Sequence, residues 1–184
     1  MFFNLFMLFM SFMVRLTLSE DRIVDEKLKG KRILIVDDEP DIIEVLRELL
    51  DGCVIDSATD FQGGRALLEK NLYDIAVLDI MGVKGYDLLK ISKEKDIPTL
   101  MLTAHALDPD NFAKSIKKGA LAYIPKDKLT DIEIFLKDVL EAHEKGTKKM
   151  GKWFGRLESF FEDTFGAYWQ EKIKEGPEFW KKYI

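Results

Sequence analysis

From residue 31 to residue 144 the chain alternates short apolar runs with longer amphipathic stretches. Residues 31–36 (KRILIV) carry Ile, Leu and Val without polar alternation, the pattern of a strand buried on both faces, and residues 53–58, 74–78 (DIAVL), 98–102 (PTLML) and 120–124 read as further strands. Between them, residues 40–50, 60–70, 85–93, 108–118 and 130–144 repeat apolar residues at helical spacing. The first of these sets Ile42, Ile43, Val45, Leu46, Leu49 and Leu50 against Glu44, Arg47 and Glu48. The last gathers Leu129, Ile132, Phe135, Leu136, Val139 and Leu140 on one side. Pro40 suits a first helical turn, Asp60 a cap and Gly119 a helix stop. Five strand–helix units joined by short connections predict an α/β fold: a doubly wound, five-stranded parallel sheet with helices on both faces. The order 2-1-3-4-5 is one of the two common solutions for such a sheet.

The strand ends change the picture from fold to chemistry. Strand one runs into Asp37 and Asp38, strand three ends at Asp79, strand four at Thr103, and strand five at Pro125-Lys126. In an open parallel sheet these ends share one edge, where ligands bind. Taken alone, the acidic turn at 36–40 (VDDEP) has two readings. One is a helix cap. The other is a pair of mutually repelling carboxylates that hold a hard divalent cation through oxygen. With the other ends included, Asp79 suits a nucleophile toward phosphorus. Thr103 and Lys126 would each hold a phosphoryl oxygen, and a metal the third. No general base is needed, because an ionised carboxylate is already nucleophilic.

Composition narrows the field. A hydrophobic share of 47% argues against wholesale disorder, and a net charge of −5 offers no broad footprint for nucleic acid. Cys53 is the single cysteine, so no disulfide closes within the chain; it is expected as a small buried hydrophobe. With only His105 and His143 present, a histidine-based zinc site is not expected.

VDDEP at 36–40, VLD at 77–79, LTA at 102–104 and YIPK at 123–126 together resemble the receiver domain of two-component response regulators. The resemblance spans about residues 31–144 and implies a flavodoxin-like sheet. It identifies Asp79 with the phosphoacceptor and Asp37 and Asp38 with the acid pair that holds Mg2+, Asp38 being the direct ligand of the two. Met81 would add its backbone carbonyl to the metal. Thr103 corresponds to the switch hydroxyl, Lys126 to the phosphate-binding lysine and Tyr123 to the aromatic switch residue; Ala104 is small enough to leave the phosphoryl group room. By the same resemblance the chain is a phosphorylation-switched signalling protein rather than an enzyme. It would catalyse its own phosphotransfer and dephosphorylation. A histidine kinase or histidine phosphotransfer protein would be its donor, and the cytoplasm its place. Two departures stand out. The loop after Asp79 (DIMGVKGYDLL) has no proline, and Gly85 comes six residues after Asp79 where the family usually has eight. Pro125 precedes Lys126 instead of following it.

Two alternatives are weighed against this reading. A phosphatase using Asp79 as nucleophile, of the haloacid dehalogenase-like kind, needs a second Asp two residues on, where Met81 stands. A receiver-like scaffold that is never phosphorylated has no need of the complete Asp37, Asp38, Asp79, Thr103 and Lys126 set. His105, two residues past Thr103, either tunes water attack on the acyl phosphate or is an exposed loop residue.

The flanks divide the chain into residues 1–29, 30–145 and 146–184. Residues 1–18, nearly all Phe, Met and Leu before Arg15, are shorter than the roughly 20 apolar residues of a membrane span. They read as upstream sequence from a wrongly chosen start, or else as a membrane-surface anchor or an apolar helix seeking a partner. Residues 147–184 hold all three tryptophans. Trp153, Leu157, Phe160, Phe161, Phe165 and Tyr168 predict an aromatic amphipathic helix broken at Gly176-Pro177. Such a face packs on the receiver, on a second copy, on a downstream protein or on a membrane surface. The extension is too short for a usual winged-helix DNA-binding domain, and no DNA partner is expected.

Overall fold

The computed structural model describes residues 25–104, 109–147, 151–174 and 176–183; His105 and the apolar segment 1–18 lie outside them. Five parallel strands form one sheet in the order β2-β1-β3-β4-β5. The strands are β1 (Arg32–Val36), β2 (Val54–Ala58), β3 (Ile75–Asp79), β4 (Thr99–Thr103) and β5 (Ala122–Pro125). Helices α1 (Pro40–Leu49), α2 (Phe61–Lys70), α3 (Gly85–Glu94), α4 (Pro109–Lys118) and α5 (Ile132–Glu144) connect and cover them. This is the expected doubly wound arrangement, and it carries the site residues to one edge.

Burial follows the apolar pattern. Strands β3 and β4 are buried throughout. Strand β2 (VIDSA), which carries Asp56 and Ser57, is half-exposed, because it lies at the sheet's edge with only β1 beside it, where the expected order puts it. Local chemistry sets the helix ends. Pro40 opens α1, and the Asp60 side chain caps α2 by accepting the Gly63 N–H at 2.8 Å. The fifth helix starts later than its periodicity suggests. A 3-10 turn (Lys126–Asp131) takes the chain from β5 into α5, and Leu129 is buried within that turn.

Beyond α5 come helix α6 (Lys152–Phe165), a 3-10 turn (Trp169–Lys172) and α7 (Pro177–Tyr183). The expected single helix up to Gly176 is therefore corrected. It stops at Phe165 because Gly166 takes φ +84, a left-handed backbone that ends the helix. Tyr168 is consequently exposed rather than part of the apolar face. Trp153, Phe154, Leu157, Phe161, Trp169, Ile173 and Phe179 pack onto the receiver core, so the extension folds back on its own chain. Among the described residues, no helix is long and apolar enough to cross a membrane.

Candidate phosphoacceptor site

Three charged side chains meet beyond the ends of β1, β3 and β5. Asp37 is fully buried, and Asp79 and Lys126 are nearly so. Each closes or follows an apolar strand, which carries a polar group into the interior at the sheet edge. The Lys126 ammonium donates to Asp37 Oδ1 at 3.0 Å and to Glu39 Oε1 at 2.8 Å, and stands 3.1 Å from Asp79 Oδ1. Asp37 Oδ1 also accepts the Glu39 N–H at 3.0 Å. Asp79 Oδ2 accepts the Met81 N–H at 2.8 Å, which fixes the carboxylate plane against the loop that follows.

Buried charge of this density is tolerated only because opposite signs touch. Burial opposes the charge on Lys126, yet Asp37, Asp79 and Glu39 hold its proton well above the ordinary lysine range. Asp37 goes the other way. Burial pushes its carboxyl up to about 7, helped by the charge on Asp79 and opposed by Lys126. Asp37 Oδ2 lies 2.8 Å from the ammonium but at an angle that makes no hydrogen bond, and it has no other donor. A buried carboxylate oxygen without a hydrogen bond is where an added cation gains most.

Asp38 is placed differently. It is exposed, and its carboxylate leans over the loop after β3, so close to Gly82 that a Cβ there would lie 1.9 Å from Asp38 Oδ2. Among the described residues, no three acid, imidazole or thiol groups stand together as ligands. The Lys126 ammonium stands within ion-pair distance of both Asp37 and Asp79. The donor set still suits a hard cation, since oxygen donors are present and one buried oxygen lacks a partner.

Thr103 is buried at the end of β4, opposite Pro125 in the β4–β5 register, and Asp79 pairs with Leu102 one residue earlier. Tyr123 is fully buried. Its ring meets Phe112 edge to face, with centroids 5.6 Å apart. Met81 is exposed beside the site, with its N–H on Asp79.

The shortened loop after Asp79 closes through Lys84, which takes φ +53, and through Gly85 at the start of α3. The Gly85 N–H donates to the Ile80 carbonyl at 3.3 Å. A Cβ at Gly85 would stand 1.9 Å from the Asp79 carbonyl oxygen, so this close approach admits only glycine. Sequence reasoning missed one site residue, Glu39, which gives Lys126 its second hydrogen bond. The signal was the third acid of the DDEP run.

Fold and site define a receiver-type α/β protein. The family model described as the response regulator receiver domain matches residues 33–135, more than half of the chain. The chain belongs to the response regulator receiver domain family. The two-component response regulator ARR10 of Arabidopsis thaliana is 33% identical over 114 residues, 58% of this chain and 20% of that protein. The transcriptional regulatory protein TcrA of Mycobacterium tuberculosis is 32% identical over 106 residues, 54% of this chain and 42% of its own length. The chain thus spans well under two thirds of these relatives. Among solved structures, a CheY-like receiver domain protein from Methanospirillum hungatei superposes with a TM-score of 0.58 at 30% identity. That match covers 64% of this chain and 99% of that one. A response regulator from Chloroflexus aurantiacus gives 0.55 at 29% identity, covering 61% of this chain.

Proposed function

We propose that the chain is a phosphorylation-switched signalling protein of a two-component relay, and that Asp79 accepts the phosphoryl group. The observation that carries this reading is the Asp79 carboxylate, buried at the end of a central strand with the Lys126 ammonium 3.1 Å from Oδ1. The donor is a phosphohistidine on a histidine kinase or histidine phosphotransfer protein. An Asp79 oxygen attacks phosphorus as the P–N bond breaks, and the electron pair stays on the imidazole nitrogen, which takes up a proton from water. Lys126 trades contacts with Asp37 and Glu39 for a phosphoryl oxygen, and Thr103 donates its hydroxyl to another. Asp37, Asp38, Asp79 and the Met81 carbonyl would hold magnesium, which supplies positive charge to the transferring group when bound. The protein then acts through protein contacts rather than DNA. It is not an enzyme acting on a separate substrate, and it works in the cytoplasm.

Acetyl phosphate with magnesium, followed by intact mass measurement, tests this. A single phosphoryl adduct that is lost in Asp79→Ala is expected. Turnover of acetyl phosphate without an adduct would favour a phosphatase, and no reaction would favour a scaffold.

A further inference from the structure

At the sheet edge opposite Asp79, three helices end side by side and in the same way. Each is followed by a residue in left-handed backbone: Asp96 (φ +58) after α3, Gly119 (φ +109) after α4 and Gly146 (φ +61) after α5. The next amide in each then returns to a carbonyl five residues back. Ile97 N–H donates to Ser92 at 2.9 Å, Ala120 N–H to Ser115 at 3.1 Å and Thr147 N–H to Ala142 at 3.0 Å. This is the closing bond of a Schellman cap. Main-chain amides thus take up carbonyls that would otherwise face outward from these helix ends. The basic side chains of the last turns are not needed for that task.

The three ends wall a cleft of about 620 Å³, and the last turn of α7 adds Lys182 and Tyr183 to it. That volume falls in the range that small-molecule sites occupy. The floor is apolar: Leu89, Ile97, Ile116 and Ala120 all belong to the buried core. The rim is basic, although the whole chain carries a net charge of −5. Lys93, Lys117 and Lys182 stand there, and among the described lining residues Asp96 is the only acid. The Asp96 side chain is 93% exposed, with His143 Nε2 3.9 Å away. Lys93 gives one of its protons to the Lys118 carbonyl at 3.4 Å. An apolar floor under a rim of ammonium groups is the lining of a site for a molecule of two halves.

We infer that this cleft binds a small amphipathic carboxylic acid, with its apolar body on the floor and its carboxylate at the lysine rim. The body removes Leu89, Ile97 and Ile116 surface from water, which drives entry. The carboxylate takes charge-assisted hydrogen bonds from Lys117 and Lys182, which set its orientation. With Asp96 beside these ammonium groups, one negative charge suits the rim better than two. A neutral molecule of the same body gains only the apolar part, and a cation meets like charge. Because Lys182 and Tyr183 belong to α7, the bound acid touches both the receiver and the extension. Tyr183 in turn packs on Phe179, with ring centroids 5.0 Å apart. The site lies away from Asp79 and stands independently of the phosphoacceptor reading.

Octanoate, 1-octanol and octylammonium share one apolar body and differ in head group. Each is titrated into the full ¹⁵N-labelled chain, and amide shifts are followed by NMR. Octanoate is expected to saturate a single site and to move the amides of Gly119, Gly146 and Tyr183, while those of Met81 and Gly85 at the opposite edge stay still. Octanol should bind at least tenfold more weakly, and octylammonium should not saturate. Lys117→Glu combined with Lys182→Glu should weaken octanoate at least tenfold, and Lys70→Glu, on the exposed end of α2, should leave it unchanged. Shifts that never saturate, or that fall outside the cleft, overturn the site. Equal binding of octanol overturns the role given to the rim. The shift map needs no variant, so it decides the matter even if the double variant fails to fold.

Discussion

Lys126 Nζ donates to Asp37 Oδ1 at 3.0 Å across 89 positions of the chain, and both groups are buried. The pair joins β5 to β1 over the ends of the two strands between them. A buried pair of this kind adds little net stability over an apolar pair, but removing one partner leaves an uncompensated charge. Lys126→Met in metal-free protein should therefore lower unfolding stability by about 3–5 kcal/mol, as measured in urea. Adding Asp37→Asn to that variant should recover part of the loss, because a carboxamide needs no counter-charge. A loss under about 1 kcal/mol for Lys126→Met would show that the cluster is solvated in solution.

A second expectation concerns the unpaired Asp37 oxygen. If Asp37 Oδ2 and Asp79 are where a hard cation gains most, magnesium binds the folded chain and not the unfolded one. Stability then rises by about 2.7 kcal/mol at a hundredfold excess over the dissociation constant. Thermal melts with magnesium and after chelation should differ accordingly, and the difference should vanish in Asp37→Asn. Equal melting temperatures in the parent chain with and without the ion would remove magnesium from the site.

Two glycines give opposite expectations. A methyl group at Gly85 has to displace the Asp79 main chain, since it would stand 1.9 Å from the carbonyl oxygen. Gly85→Ala should cost about 3 kcal/mol or more and slow adduct formation, because Asp79 itself must move. Gly155 lies exposed within α6, and a methyl group there would meet nothing within 4 Å. Gly155→Ala should stabilise by about 0.5–1 kcal/mol by restricting the unfolded chain. Chemical denaturation of both variants tests the pair, and a harmless Gly85→Ala would mean that the loop after Asp79 has room to spare.

Much of this is legible from residue types, for identifiable reasons. The unalternated runs at β3 and β4 mark central strands because only a strand covered on both sides needs no polar face. Strand β2 departs from that pattern with Asp56 and Ser57, as suits an edge strand with a single neighbour. Asp37, Asp79 and Lys126 can be placed on one edge because strand ends are set by topology. The outward turn of Asp38, and the capture of Lys126 by Glu39, depend on side-chain angles that no spacing encodes. In the extension, periodicity shows an aromatic face but not its target. Phe112 looks like any apolar helix position, and nothing in its neighbours along the chain announces six rings from the extension. Periodicity puts Tyr168 on that face only if the helix runs past Gly166, whose left-handed backbone is a local choice among several open to glycine.

Cys53 gives a pH dependence that can be read directly. Its thiol is half-buried and donates to the Leu28 carbonyl at 3.3 Å. Burial, with the charges of Glu133 and Asp51 adding to it, pushes the thiol up to about 11. Only the thiolate reacts with alkylating reagents, and a free cysteine ionises near about 8.5. At pH 8 iodoacetamide should therefore modify folded Cys53 on the order of 10²-fold more slowly than it modifies the urea-unfolded chain. The folded rate should climb about tenfold per pH unit up to roughly pH 11, while the unfolded rate levels off above about 9. The sign is fixed by the raised value, since higher pH populates the reactive form later in the folded chain than in the unfolded one. Equal rates at pH 8 would mean that the Leu28 contact opens freely and that the segment before β1 does not shield the thiol.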